Sequence, residues 1–246
     1  MWFVLRRGFA APQHACDSYL IIRDMMRILF LGMPGVYAPP HLAALLAAPA
    51  DLIAVGVPAP PGARPVTELP PTRAPANLID PAPLPGLPQL AGAAGLPVLA
   101  LRRMGHPAVF DALRAMDLDL VCVACWPWRI PAALLAEPHR GWLNSHPSLL
   151  PAFRGPAPLA EALQRGISAT GVTIHWMDAG LDTGDIALQE ALNLPEGWSL
   201  EEAEGLAANV GGRLLAEAVE RLQRGDLPRR AQAGEEGRQG KCRMQN

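Results

Sequence analysis

Short apolar runs separated by turn residues mark the chain, and their order predicts an α/β protein. RILFLG (27–32) and DLIAVGV (51–57) have the length and composition of buried parallel strands. A helix near His41–Ala48 falls between them, giving a strand–helix–strand unit. PVLAL (97–101), LDLVCVACW (118–126) and GWLNSH (141–146) read as further strands, with helices at Pro107–Met116 and Pro131–Ala136. A helix at Leu159–Arg165 then precedes two more strands, GVTIHWM (171–177) and IALQEALNL (186–194). Ser199 and Glu202 form a capping box that opens a long helix reaching about Arg224. The alternation predicts an open, mostly parallel, Rossmann-like sheet with helices on both faces. Sites in such sheets lie at the carboxyl ends of strands.

Three segments stand outside this pattern. Residues 58–90 hold eleven prolines and almost no charge, and read as a long irregular loop. Residues 1–24 have Arg6 and Arg7 after the apolar WFVL, the reverse of a secretory signal, and Met25 and Met26 directly precede the first strand. They read as an N-terminal extension to a domain spanning 25–225. Residues 226–246 are polar and read as a disordered tail.

Composition narrows the chemistry. The chain has 246 residues, 50% of them hydrophobic, and a net charge of −2. That suits one main domain and argues against a basic nucleic-acid face. The only lysine is Lys241, in the polar tail, which disfavours Schiff-base chemistry and Walker-type phosphate binding. No apolar run reaches the roughly 18 residues of a membrane span. Cys122 and Cys125 have C-x-x-C spacing but lie in an apolar strand, so both read as buried, reduced, structural thiols, and the chain as cytoplasmic. No metal motif is present. His175 alternates with Ile174 and Trp176 on a strand and reads as structural.

Asn144 and His146 are two residues apart at the end of a predicted central strand, so their side chains share one face, and Ser145 points to the other. An amide and an imidazolium are both donors and suit the oxyanion of acyl transfer. The later loop G-L-D-T-G-D offers Asp182 and Asp185 at the same edge. A carboxylate beside His146 would raise its pKa and favour the donating form. Asp178 and Asp185 fit a turn-forming role better than Asp182.

The stretch from Trp142 to Asp185 resembles the core of the 10-formyltetrahydrofolate-dependent formyltransferases. N-S-H-P-S-L-L-P matches that family's N-x-H-x-S-L-L-P. Asp182 stands 36 residues after His146, the spacing of the family's catalytic aspartate, in a loop of the same L-D-x-G type. R-G-P-A-P-L and G-V-T-I-H-W-M-D-A-G-L-D-T-G-D are more similar to the methionyl-tRNA branch than to the glycinamide ribonucleotide branch, and the chain resembles that branch's catalytic domain without its C-terminal barrel.

The resemblance implies catalytic roles for Asn144, His146 and Asp182, with 10-formyltetrahydrofolate as formyl donor and no metal. It implies a pterin site between Trp126–Ile130 (with Trp126, Trp128, Arg129 and Ile130 in contact) and the loop carrying Met177, Asp178, Ala179 and Gly180. The implied partners are the folate and an amine acceptor. The sequence departs from both branches near the acceptor. G-M-P-G-V-Y-A-P-P-H stands where the glycinamide enzyme has a phosphate loop, and the loop after the second strand carries only Arg64 and Arg73. A tRNA acceptor is therefore the weaker reading, and an amino sugar or small amine the stronger. Hydrolysis of the formyl donor and a non-catalytic folate-binding role are the alternatives.

Overall fold

The computed structural model describes residues 25–72 and 86–233. Fourteen elements follow one another: β1 (Arg27–Gly32), α1 (Ala38–Ala47), β2 (Asp51–Pro58), β3 (Val66–Leu69), α2 (Leu87–Ala93), β4 (Val98–Leu101), α3 (Pro107–Ala115), β5 (Leu120–Ala124), α4 (Ala132–Leu135), β6 (Trp142–His146), α5 (Pro158–Gln164), β7 (Ala169–Trp176), β8 (Ile186–Asn193) and α6 (Leu200–Arg224).

The apolar runs form the sheet because they are buried on both faces. Ile28 and Phe30 pack into one hydrophobic layer, Leu29 and Leu31 into the other. Helices α1, α2, α5 and α6 cover the first layer, α3 and α4 the second. The strand order is β3-β4-β2-β1-β5-β6-β7-β8. The five strands β4, β2, β1, β5 and β6 run parallel, β3 pairs antiparallel with β4 at one edge, and at the other β7 runs opposite to β6 and β8 opposite to β7. The sheet is thus open, mostly parallel and doubly covered, as the pattern predicts. From β1 the chain winds toward β2 and β4, and from β5 toward β6. A cleft opens above such a reversal. Here the Met33 N–H donates to the Cys125 carbonyl across it at 2.9 Å.

Several expectations need correction. The segment 58–90 is not wholly irregular. Val66–Leu69 pairs antiparallel with β4, and Leu87–Ala93 is helical. Prolines flank β3 rather than enter it, and an edge strand needs only one row of hydrogen bonds. Pro88 sits in the first turn of α2, where its missing N–H costs nothing. The same reason lets α1 begin at Ala38, ahead of His41, with Pro39 and Pro40 inside its first turn. Residues 226–233 are held against β8 rather than loose: Arg230 and Ile186 exchange both backbone hydrogen bonds, at 2.8 and 3.0 Å. The rest of the expected tail (234–246), the N-terminal segment 1–24 and residues 73–85 lie outside the described residues.

Beneath β6 a closed ring of hydrogen bonds ties the strand to α1. His41 Nδ1 donates to the Tyr37 carbonyl at 2.8 Å, so its Nε2 accepts from Ser145 Oγ, also at 2.8 Å. Ser145 Oγ then accepts from the Tyr37 hydroxyl at 3.1 Å. Burial holds the His41 imidazole at a pKa of about 4, against an ordinary 6.5, despite the Tyr37 carbonyl pulling it up. Helix α6 reaches this ring through Gly211. A Cβ there would stand 2.4 Å from His41 Nε2 and 2.7 Å from Ser145 Oγ.

Gly211→Ala should therefore destabilise the fold by about 1–3 kcal/mol or more through overpacking, read as a lower urea midpoint. His41 has a second consequence. The folded state takes up its proton only near pH 4, the unfolded chain near 6.5. Its contribution is thus complete above pH 6.5 and is lost as pH falls toward 4, by roughly 3 kcal/mol. Urea unfolding from pH 7.5 to 4.5 should show this decline, and His41→Gln should flatten it.

Candidate active site

Strand β6 lies where the sheet changes from parallel to antiparallel. It pairs with β5 on one side (Val123↔Asn144) and with β7 on the other (Asn144↔His175, His146↔Thr173). Asn144 and His146 face the same way, and Ser145 points down into the ring with His41, as the alternation predicts. Thr173, opposite His146, accepts the Leu150 N–H at 3.1 Å and donates to the Ser148 carbonyl at 2.6 Å. This anchors the S-L-L-P turn directly to the sheet.

The three residues singled out from the sequence converge. His146 Nδ1 is 3.6 Å from Asp182 Oδ2. Asp182 Oδ1 is 3.6 Å from Nε2 of His175. That nitrogen lies 3.1 Å from Asn144 Nδ2. His175 is thus part of the constellation, which corrects its reading as a bystander. Cross-strand pairing with Asn144 puts it there, and the antiparallel register is not written in the local sequence. Its Nδ1 donates to the Trp176 carbonyl at 3.0 Å, which leaves Nε2 to accept from Asn144. One Asn144 N–H is then left over for the cavity.

His146 Nε2 donates to the Phe153 carbonyl at 2.8 Å, which leaves Nδ1 to face Asp182. Here the expectation of a charged histidine fails. Burial is the largest influence on His146 and lowers its pKa; the Asp182 charge and the Phe153 carbonyl pull upward without overcoming it. The imidazole is neutral at pH 7. Burial tends to raise the Asp182 carboxyl, but His175, His146 and the Gly155 N–H, which donates to Oδ2 at 2.9 Å, hold it below its ordinary range. At 3.6 Å the two histidine contacts are longer than hydrogen bonds. Asp182 itself sits in left-handed backbone, at φ 54°.

The group opens into a cavity of about 550 Å³. Trp126, Trp128, Arg129, Ile130, Met177, Asp178 and Gly180 line one side of it. Ala179 does not line it; its carbonyl accepts from the Arg129 guanidinium and ties the two loops together. Trp126 and Trp128 meet edge to face, with centroids 5.5 Å apart, and Trp126 Nε1 is buried without a partner among the described residues. The side chain of Ile130 belongs to the core. Asp178 accepts from Thr183 Oγ1 at 2.7 Å and from the Gly180 N–H at 2.9 Å, the turn role expected of it. The cavity lining also includes Met33, Tyr37, Cys125, Leu159, Leu200 and Glu204.

Cys125 corrects another reading. It lies past the end of β5 in left-handed backbone and is open to the cavity, while Cys122 is buried. Packing on its closed side, and then Glu204 nearby, push its thiol pKa up, so it is no activated thiolate. Among the described residues no group of three or more His, Cys, Asp or Glu could hold a metal ion, and no helix is long and apolar enough to cross a membrane.

An open α/β sheet with amide, imidazole and carboxylate gathered at the carboxyl end of its central strands defines a class of group-transfer site. Comparison with known proteins specifies the class. The formyl transferase family model matches residues 47–219, and the chain belongs to that family. It is 34% identical over 205 residues to methionyl-tRNA formyltransferase of Syntrophomonas wolfei, covering 83% of this chain and 61% of that protein. It is 38% identical over 207 residues to the Chloroflexus aggregans enzyme of the same name, covering 84% of this chain and 62% of the relative. The chain thus spans about three fifths of the relatives it matches. Glycinamide ribonucleotide transformylase 1 of Symbiobacterium toebii superposes with a TM-score of 0.65 at 27% identity, covering 85% of this chain and 94% of that one.

Asp182→Asn removes a negative charge from in front of His146. The His146 imidazole should then titrate at a still lower pH, followed by the NMR shift of its ring proton. An unmoved titration would mean that the two groups do not face each other in solution.

Proposed function

We propose that this protein transfers the formyl group of 10-formyltetrahydrofolate to a primary amine, with Asn144, His146 and Asp182 as catalytic residues. The convergence of these three side chains at the mouth of one cavity carries the reading. Trp126, Trp128, Arg129 and Ile130 form one wall of the pterin subsite and Met177, Asp178 and Gly180 the other, with the Ala179 carbonyl tying the two together. The loops are already joined by the Arg129–Ala179 bond, so little ordering remains for the folate to induce.

The amine nitrogen attacks the formyl carbon and a tetrahedral oxyanion forms. The free Asn144 N–H donates to that oxygen. His146 begins neutral with a lone pair at Nδ1, takes the proton released by the amine, directly or through one water, and becomes an imidazolium that Asp182 stabilises at 3.6 Å. It then donates to the oxyanion alongside Asn144. The oxyanion collapses, the bond from the formyl carbon to N10 breaks, N10 takes from His146 the proton that came from the amine, and the products are the N-formyl amine and tetrahydrofolate. His175, which accepts from Asn144, orients the amide.

The acceptor is an amine without phosphate, such as an amino sugar or a small amine. Met33, Tyr37, Leu159 and Leu200 give their part of the cavity an apolar character, and its charged lining residue is Glu204. Among the described residues Arg129 is the one arginine or lysine that lines the cavity, and its guanidinium is bound to the Ala179 carbonyl. The N-terminus of α6 is also closed to an anion. Ser199 and Glu202 fill it with their own capping box, and Glu201 adds further negative charge. The methionyl-tRNA enzymes it is similar to suggest an aminoacyl-tRNA acceptor, for which this wall supplies no phosphate contact.

The test is release of tetrahydrofolate from 10-formyltetrahydrofolate, alone and with amino sugars, small amines and methionyl-tRNA. Release that requires an amine is the expected outcome; release without one would make the enzyme a deformylase, and folate binding without release would make it a binding protein. Asn144→Ala should lower kcat about 10²–10³-fold and His146→Ala about 10²–10⁴-fold. An unchanged rate in His146→Ala would sink the mechanism.

A further inference from the structure

The segment after α6 is polar and without periodicity, yet it runs to Asp182. Gly225, at φ 78°, ends the helix. The Pro228 carbonyl then accepts from Trp176 Nε1 at 3.2 Å, and the Arg229 guanidinium stacks 3.7 Å from the centre of the Trp176 ring. The Arg230–Ile186 bridge fixes the register of the residues beyond it. Two residues later, Gln232 reaches both loops of the site.

Its side-chain amide is fully used. Nε2 donates to the Asp182 and Gly184 carbonyls, both at 2.8 Å. Oε1 accepts from Arg154 Nε at 3.1 Å and Nη2 at 2.7 Å. Carbonyls only accept and a guanidinium only donates, so the partners dictate which amide atom is which. A side chain with acceptors alone or donors alone could not serve both loops.

The loops it joins are those that set His146 against Asp182. In three successive residues, the Phe153 carbonyl takes the His146 proton in a hydrogen bond, the Arg154 side chain binds Gln232, and the Gly155 N–H binds the Asp182 carboxylate. Phe153 and Asp182 both lie in left-handed backbone, at φ 55° and 54°. Such non-glycine conformations are strained and persist where surrounding contacts over-determine them. Gln232 supplies contacts of this kind to the Asp182 loop directly and to the Phe153 loop through Arg154.

We propose that Gln232 is a positioning residue: it clamps the loop of residues 153–155 onto the loop of residues 182–184 and so sets the distance between Asp182 and His146. This rests on the reading of His146 and Asp182 as a working pair. The clamp acts on the aspartate's position rather than on the substrate, so its loss should appear in kcat before KM.

Two measurements test it. The first is tetrahydrofolate release by Gln232→Ala and by the isosteric Gln232→Glu, which keeps the Arg154 partner but turns an acceptor toward two carbonyls. Both should lower kcat by about tenfold to a hundredfold, with KM for the folate changed less than about threefold. Wild-type kcat in either variant overturns the clamp. The second uses no substrate. Four forms (wild type, Gln232→Ala, Asp182→Asn and the double variant) are titrated by NMR at His146, whose neighbours are Asp182, His175 and the Phe153 carbonyl. The shift that Asp182→Asn causes at His146 should be at least halved in the Gln232→Ala background, because the cycle isolates the coupling from any change in burial. An equal shift in both backgrounds overturns the proposal, even where a lower melting temperature shows Gln232 to be structural. Should no acceptor support turnover in wild type, the proposed reaction fails while the titration cycle still decides the clamp.

Discussion

The pairing of β6 with β7 is the constraint on which the site depends. β6 is the last parallel strand, and β7 returns beside it in the opposite direction. That reversal sets Asn144 opposite His175, and it makes the turn after β7 emerge beside the strand that carries the central pair. A parallel neighbour would have changed both the cross-strand partner and the direction in which the Asp182 loop leaves the sheet. The cavity, the carboxylate and the second histidine all depend on this change of direction.

The two faces of β6 do different work. On one, Asn144 and His146 meet the cavity. On the other, Ser145 is fastened to Tyr37 and His41 in a hydrogen-bonded ring. Small residues make this possible: Gly211 and Gly212 let α6 press onto α1 so closely that a Cβ at either would meet His41 or Pro40 at under 3 Å. The strand carrying the reactive groups is thus held from behind by packing and from the ends by hydrogen bonds, an arrangement that keeps their geometry independent of a bound substrate.

Burial decides the electrostatics. A carboxylate beside a histidine in water would make the histidine a stronger base. In this pocket the cost of desolvating a charged ring exceeds the attraction of Asp182, and the resting imidazole is neutral. The carboxylate keeps its charge with help from the Gly155 N–H, which donates to it. The pair is an uncharged ring next to an ionised carboxylate.

The sequence by itself determined the sheet class, its covering on two faces and the identity of the central pair. These are local matters: apolar runs bounded by turn residues specify strands, and a two-residue spacing on a strand specifies a shared face. It also singled out Asp182, through the resemblance of one contiguous stretch. Its failures have a common cause. His175 alternates with core residues, and nothing local says which strand will lie opposite. The Pro-rich segment hides β3 and α2 because prolines at their margins look like prolines that would break them. Cys125 reads as core because the end of β5 is set by the strands around it. Gln232 sits among polar residues without periodicity, and its worth comes wholly from groups 50 and 78 positions away in the chain. What only the tertiary structure decided was therefore long-range register and the protonation of His146. Pairing partners and desolvation are properties of the assembled fold, and no stretch of sequence carries them alone.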